Sequence, residues 1–503
     1  MSGSALPSLR IQRMGINTYQ EPVAYLRSDS PVCRAQGFDA HSRIRVGLGD
    51  RAVIATLNIV DPPLLAPDRV GLSEAAWRAL GGADGDPAQL SHPEPLESFS
   101  QVRGKVYGHS YSRSGLQMVI ADITAGRYSE LEMAAFVTAC AGSALSLDET
   151  IALTEAMVDA GQRLHWPSAV VVDKHCVGGL PGNRTTPIVV AIAAAAGLTI
   201  PKTSSRAITS PSGTADTMAM LAPVDLELPR MRQVVEREGG CVVWGGAMGL
   251  SPADDLLIRV ERPLDFDSEG QLAASIISKK LAAGSNHLLI DMPVGPTAKV
   301  RSAHAADTLA RRLHGVGEAL GLNVRVTRTD GSQPVGRGIG PALEAWDLLA
   351  VLQNQAGAPT DLRERALLLA GQLLEIGGKA GHGEGLPQAR ELLRNGSAWR
   401  KFEAICQAQG GLREPPRAAH TQEFTAGRDG RVQSIDNRRL ARIAKLAGAP
   451  ASPAAGIELQ VHCGDRVERG QPLYRLHAQS PGELAYAAAY AGAHPETIQI
   501  TED

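Results

Sequence analysis

The sequence predicts a multidomain α/β protein: a helical lobe and a large mixed α/β lobe with a central sheet, flanked by small β-rich domains at both ends. Three observations carry that prediction. Over 164–415, short β-branched or apolar runs alternate with helix-compatible runs, the pattern of a sheet covered by helices. Over 97–163, two S-x-x-E signatures each open an amphipathic segment. The ends, 1–95 and 416–503, carry short strand-like runs broken by G-D and G-Q turns. A chain of 503 residues is also too long for one hydrophobic core.

Composition narrows the function classes. The net charge of −3, from 50 basic and 53 acidic residues, provides no nucleic-acid footprint and no attraction to an anionic membrane. Any anion recognition must therefore be local. The longest apolar run, 187–200, is too short to span a bilayer and is broken by Gly197. The first ten residues lack a basic start with an apolar core, so no secretory signal is expected. Six scattered cysteines without C-x-x-C spacing predict neither a zinc site nor a disulfide framework, which fits a reducing cytoplasm.

In chain order, residues 41–61 read as a hairpin around Gly49-Asp50, and 71–81 as one short helix capped by Ser73 and stopped by Gly81. The polar, proline-bearing tract 85–96 reads as a linker. Ser129 with Glu132, and Ser146 with Glu149, mark the starts of two helices. S-A-V-V-V-D reads as a buried parallel strand ending at Asp173, and 185–196 as an apolar helix stopped by Gly197. Residues 241–246 are strand-like, 250–262 polar and mixed, 271–284 strongly helical, and 287–296 a buried strand. Residues 323–344 read as a strand, a loop holding Gly336, Gly338 and Gly340, and a helix; 347–413 is helical cover.

The chain is organised around 173–217. Gly178, Gly179 and Gly182 let the backbone turn tightly and bring several N–H groups to one ligand. A strand, a glycine-rich turn and a helix N-terminus form an anion site, because unpaired N–H groups and the helix dipole both favour negative charge. Lys174, Arg184, Thr185 and Thr186 add donors at that place. About thirty residues on, Thr203, Ser204, Ser205, Thr209, Ser210, Ser212 and Thr214 surround Arg206, a second oxyanion-binding wall expected to face the first. Further on, Ser275 and Lys279 stand at i and i+4 on one helix face, where they can reach one ligand.

D-K-H-C-V-G-G at 173–179 and K-T-S-S-R-A-I-T-S-P-S-G-T-A-D-T at 202–217 resemble the thymidine phosphorylase family, most closely its AMP (nucleoside 5′-monophosphate) phosphorylase branch. The resemblance runs from about residue 100 to the C-terminus and more weakly over the N-terminal part. It implies an active site in the cleft between the helical and α/β lobes, with part of 268–285 joining the helical lobe. It also implies terminal domains like those of these phosphorylases, dimerisation through the helical lobe, and a structural role for 323–344.

The implied reaction is phosphate-dependent cleavage of the N-glycosidic bond of a nucleoside 5′-monophosphate, giving free base and ribose 1,5-bisphosphate. Inorganic phosphate is a co-substrate, and neither a metal nor another cofactor is implied. The resemblance puts Lys174, Cys176, Gly178, Gly179, Thr186, Ser204 and Thr214 at the phosphate, with Lys174 and Asp267 as catalytic residues. Gly179, Ser205, Arg206, Ala207, Ile208, Thr209, Ser210, Thr214, Ser275, Lys279 and Lys299 would bind the nucleotide, Arg206 being the natural partner of a 5′-phosphate. Asp267 protonates the departing base only if burial or a neighbouring carboxylate raises its pKa.

Two departures from the family pattern matter. Cys176 replaces serine, and a thiol is the poorer hydrogen-bond donor. A lysine and a helix N-terminus would lower its pKa, which leaves a nucleophilic role open. Glu261, beside Arg262, stands where thymidine enzymes place an arginine for the pyrimidine carbonyl; an ionised glutamate suits a base offering an amino group. Thymidine phosphorolysis remains an alternative. Magnesium-dependent phosphoribosyl transfer is another, with Asp254–Asp255 the only obvious acidic pair for the metal.

Overall fold

The N-terminal strands close on themselves. In the computed structural model, which describes residues 9–502 apart from 208, 209, 265 and 267 and the side chains of Ala247 and Arg262, six strands form a barrel. Their order is Leu9–Arg13, Arg69–Leu72, Val23–Arg27, Arg51–Val60, Arg43–Leu48, Pro87–Ser91 and back to Leu9–Arg13. Closure leaves no unpaired edge, and Ile11, Leu26, Ile44, Val46, Leu57 and Leu72 fill the interior with no exposed surface. The hairpin and the Glu74–Leu80 helix are as expected: Ser73 accepts from the Ala76 N–H, and Gly81 takes the left-handed conformation. The tract 85–96 is not a plain linker, because Pro87–Ser91 pairs with both Leu9–Arg13 and Arg43–Leu48 and closes the barrel.

The chain divides into two compact units, residues 1–143 with 259–266, and residues 144–258 with 267–503. The first holds the barrel and the helices Phe99–Val106, Arg113–Thr124 and Glu130–Gly142; Leu147–Asp159 falls in the second. The helices expected as one lobe over 97–163 are thus shared between the units. Both expected capping boxes are formed.

In the second unit, Asn323–Asp330, His287–Val294 and Val172–Cys176 run parallel, as do Ile200–Ser204 and Gly240–Trp244, and a bridge from Val171 to Thr199 links the two groups. Successive strand residues point to opposite faces. Val172 and Leu289 therefore pack with the Thr185–Ala195 and Thr360–Ile376 helices, while Leu288, Ile290 and Met292 pack with the Glu269–Ala282 and Ala303–Ala319 helices.

Two boundaries differ from expectation. The strand expected to end at Asp173 runs on through Lys174, His175 and Cys176. The mixed run 250–262 lies in a helix, Pro252–Leu264, because Ala253, Leu257 and Val260 form one buried stripe.

The C-terminal segment holds two small sheets, Gly338–Ile339 with Gly456–Leu459, Pro472–Ala478 and His420–Thr425, and Arg466–Val467 with Gly430–Ile435 and Ile498–Thr501. The helices Asn437–Leu446 and Pro481–Ala493 complete it. Gly338–Ile339 comes from the glycine-rich loop ahead of the Pro341–Leu352 helix, so that loop is part of this sheet. Among the described residues, no helix is long and apolar enough to cross a membrane.

Candidate active site

The site gathers at the carboxyl ends of the parallel strands, where ligands of open α/β sheets bind. Lys174 is fully buried, and its ammonium lies 2.9 Å from Thr185 Oγ1, 3.3 Å from Thr186 Oγ1 and 3.5 Å from Asp291 Oδ2. Three N–H donors meet three oxygens. Each threonine hydroxyl accepts from Lys174, which leaves its own O–H to donate. Burial alone would push Asp291 up. Lys174, a 2.7 Å bond from Thr329, the Arg365 charge and a 3.0 Å bond from Asn183 together hold it below the usual carboxylate range.

Cys176 is half-buried beside this cluster and accepts from Asn183 Nδ2 at 3.4 Å. Burial and then the Asp291 charge push its thiol up to about 11. That reverses the lowering expected from a lysine and a helix N-terminus, and a thiol protonated at neutral pH is a poor nucleophile. At pH 8 the folded protein should therefore leave Cys176 unmodified by iodoacetamide while the denatured chain is labelled there, as peptide mass spectrometry would show.

A second buried cluster surrounds Asp173, whose carboxylate meets Lys280 Nζ at 2.9 Å and Lys202 Nζ at 3.3 Å. Burial, above all, lowers the pKa of Lys202 well below its ordinary value, as expected when two ammonium groups share one carboxylate in the interior. Burial and the charges of Lys280, Lys202, Lys279 and Lys174 hold His175 neutral. The sequence placed Lys174, Thr185 and Thr186 together; their acid, Asp291, and the cluster around Asp173 were not read from it.

The first glycine-rich turn is tight for a reason. Gly178 and Gly179 have φ of 96° and 78°, and a side chain at Gly179 would meet the Lys299 backbone nitrogen at 2.5 Å. Gly179 and Lys299, 120 positions apart, are thereby held side by side. The two hydroxyl-rich walls are joined by Arg184. Its guanidinium donates to Thr214 Oγ1 at 2.8 Å and to the Ser212 carbonyl at 2.9 Å, and its Nε to buried Glu344 at 2.7 Å. Arg184, expected as a free anion donor, is instead the tie between the walls.

On the second wall, Ser204 is buried, and its hydroxyl oxygen has no hydrogen-bond partner among the described residues. Ser205 is exposed and accepts at its carbonyl from Ala215 N–H at 3.3 Å. Ala207 N–H donates to Asp216 at 2.6 Å, and Ser210 to the Ser212 carbonyl at 2.9 Å. Arg206 lies over the Trp244 ring, 4.9 Å from its centroid, with 41% of its side chain exposed. Lys279 donates to Ser275 at 2.9 Å and to Asp254 at 2.7 Å. The expected pair on that helix is therefore formed, with an unforeseen carboxylate beside it. Asp254, named above for a metal, is committed to a lysine.

Ile208, Thr209 and Asp267 lie outside the described residues, as does the side chain of Arg262. Glu261 lies on the Pro252–Leu264 helix, in the part grouped with the first unit.

A parallel sheet covered by helices on both faces, with lysine, hydroxyl and glycine-turn donors gathered at its carboxyl end, is the architecture of a ligand-binding α/β enzyme. Residues 168–399 match the description "Glycosyl transferase family, a/b domain", residues 102–161 its helical bundle domain, and residues 431–495 "Pyrimidine nucleoside phosphorylase C-terminal domain". The chain is 64% identical over 495 residues to a protein of Polaromonas sp. (strain JS666 / ATCC BAA-500) named "Putative thymidine phosphorylase", covering 98% of this chain and 97% of that one. A protein of Hahella chejuensis (strain KCTC 2396) with the same name is 57% identical over 503 residues, covering both chains completely. The α/β fold also resembles anthranilate phosphoribosyltransferase from Thermus thermophilus, with a TM-score of 0.52 and 20% identity over 61% of this chain and 99% of that one. The chain belongs to the thymidine phosphorylase family and is a pyrimidine nucleoside phosphorylase-type pentosyltransferase.

Proposed function

We propose that this enzyme cleaves a nucleoside 5′-monophosphate with inorganic phosphate, releasing free base and ribose 1,5-bisphosphate. The observation that carries the reading is Arg206, a part-exposed guanidinium stacked on Trp244 and standing on the hydroxyl-rich loop. A nucleoside offers such a cation only neutral acceptors; a 5′-phosphate matches both its charge and its fork of N–H donors.

In this reading inorganic phosphate is held by Thr186, Ser204, Thr214, the Gly178–Gly179 backbone and the N-terminus of the Thr185–Ala195 helix. Lys174 orients the threonine hydroxyls and balances the incoming charge, and Cys176 lines the cradle as a protonated thiol. A phosphate oxygen attacks C1′, the bond to the base breaks, and the electron pair leaves with the base. Protonation spares the base a full negative charge, and Asp267 is the proposed donor. Ser275 and Lys279 contact the base, and Ser205, Ala207, Ile208, Thr209, Ser210 and Lys299 frame the nucleotide. The chemistry calls for electrostatic holding of an oxyanion and one proton transfer, and no metal is assigned a step. A homodimer and a cytoplasmic setting complete the proposal.

A second reading is thymidine phosphorolysis, favoured by the names of relatives at 57–64% identity. The test is phosphate-dependent base release from AMP, CMP, UMP and thymidine, side by side, without added metal. Cleavage of monophosphates, with the monophosphate KM raised roughly 10-fold or more by Arg206→Ala, is the expected outcome. Cleavage of thymidine alone would replace the proposal with the second reading.

A further inference from the structure

Arg206 faces two carboxylates that are held very differently. Asp216 is buried and pinned: its Oδ2 accepts from Ala207 N–H at 2.6 Å and Gly213 N–H at 2.8 Å, while Oδ1 sits 3.5 Å from Arg206 Nη1. Asp225 is on the surface, with 57% of its side chain exposed, and both its oxygens lie 3.1 Å from the single nitrogen Arg206 Nη2. Among the described residues its carboxylate has no other partner.

Sharing one nitrogen forgoes the parallel two-bond geometry that makes arginine–carboxylate pairs strong, and an exposed ion pair is weak. Stacking on Trp244 meanwhile keeps the guanidinium in place whether or not Asp225 is there. Gly213 holds the loop closed beneath it, since a side chain there would meet the Arg206 carbonyl carbon at 2.6 Å. One cation between two carboxylates also repels a third anion until one of them withdraws, and only Asp225 is free to do so.

We propose that Asp225 is a displaceable anion that occupies Arg206 until the substrate's 5′-phosphate takes its place, and so tunes the enzyme's choice between phosphorylated and unphosphorylated substrates. The inference rests on the monophosphate reading above. A phosphate dianion competes for Nη2 with more charge and more acceptor oxygens, whereas a neutral nucleoside leaves the Arg206–Asp225 pair intact.

The test compares KM values for AMP, CMP, UMP, thymidine and inorganic phosphate in the wild type, Asp225→Asn, Asp225→Glu, Arg206→Ala and the Asp225→Asn/Arg206→Ala double variant. Asp225→Asn should lower the monophosphate KM about 3-fold, the size set by a weak surface pair. The KM values for thymidine and inorganic phosphate should stay put. Asp225→Glu should restore the wild-type value, and Asp225→Asn should have no effect once Arg206 is alanine. An unchanged or raised monophosphate KM in Asp225→Asn overturns the inference while leaving the monophosphate reading standing. A wild type that cleaves thymidine but no monophosphate overturns both, so the two failures are told apart by the wild type alone.

Discussion

Lys174→Met should abolish phosphorolysis and cost about 3–5 kcal/mol of stability, because it leaves the Asp291 carboxylate buried without its counter-charge. Both side chains of the pair are fully buried, so solvent does not soften the loss. The two effects separate in the Lys174→Met/Asp291→Asn double variant. Removing the stranded charge should return most of the stability measured by urea unfolding, yet leave activity down by roughly 1000-fold, since nothing then orients Thr185 and Thr186 or balances phosphate. Recovery of activity along with stability would show that Lys174 serves the fold alone. The pH dependence has a definite sign. In the wild type the Asp291 pKa is depressed, so its stabilisation is present above the unfolded value of about 4 and is lost as pH falls through the folded value. In Lys174→Met the largest of the lowering influences is gone while Thr329, Asn183 and the Arg365 charge remain, so the Asp291 pKa rises relative to the wild type. The folded variant then takes up its proton at higher pH than the wild type does, and the penalty shrinks as pH falls through that raised folded value.

What was legible in the sequence was local. The Ser129–Glu132 and Ser146–Glu149 boxes, the Gly49-Asp50 hairpin and the Ser73 and Gly81 caps each depend on residues a few positions apart, and each formed. The glycine-rich turn and the hydroxyl-rich loop announced an anion site because donors were dense in the sequence itself. What escaped was made by partners far apart in the chain. Lys174 meets Asp291 across 117 positions and Arg184 meets Glu344 across 160, and neither acid stands in a segment whose pattern marks it. The strand Val172–Cys176 was cut short at Asp173 for a related reason: the polar Lys174 and His175 follow it, yet Lys174 meets remote Asp291 and His175 is held neutral. Pro87–Ser91 was read as linker because proline opens it, but proline is tolerated at a strand's first residue, and its pairing partners lie at least 40 positions upstream.

Glu344→Ala should lower stability by about 3 kcal/mol and raise the KM for inorganic phosphate more than that for the nucleoside moiety. Glu344 is 1% exposed and accepts from Arg184 Nε and Thr217 Oγ1, both at 2.7 Å. Without it a mostly buried guanidinium loses its only carboxylate within 4 Å among the described residues, a cost of several kcal/mol for an unpaired charge. The loss also falls on geometry. Arg184 is the tie that holds Thr214 and the Ser212 carbonyl against the first turn, and Ser212 in turn bonds Thr217, at 2.9 Å. Releasing Arg184 lets the two walls drift, and an oxyanion held by donors from both feels a displacement of even 1 Å as a large loss of rate. Glu344→Gln separates charge from shape: its amide oxygen still accepts from Arg184 Nε, so the walls keep their spacing and the phosphate KM should lie nearer the wild type, while the missing charge still lowers the unfolding midpoint. Equal phosphate KM values in Glu344→Ala and the wild type would mean that wall spacing is set elsewhere, and that Arg184 is a packing residue rather than a tie.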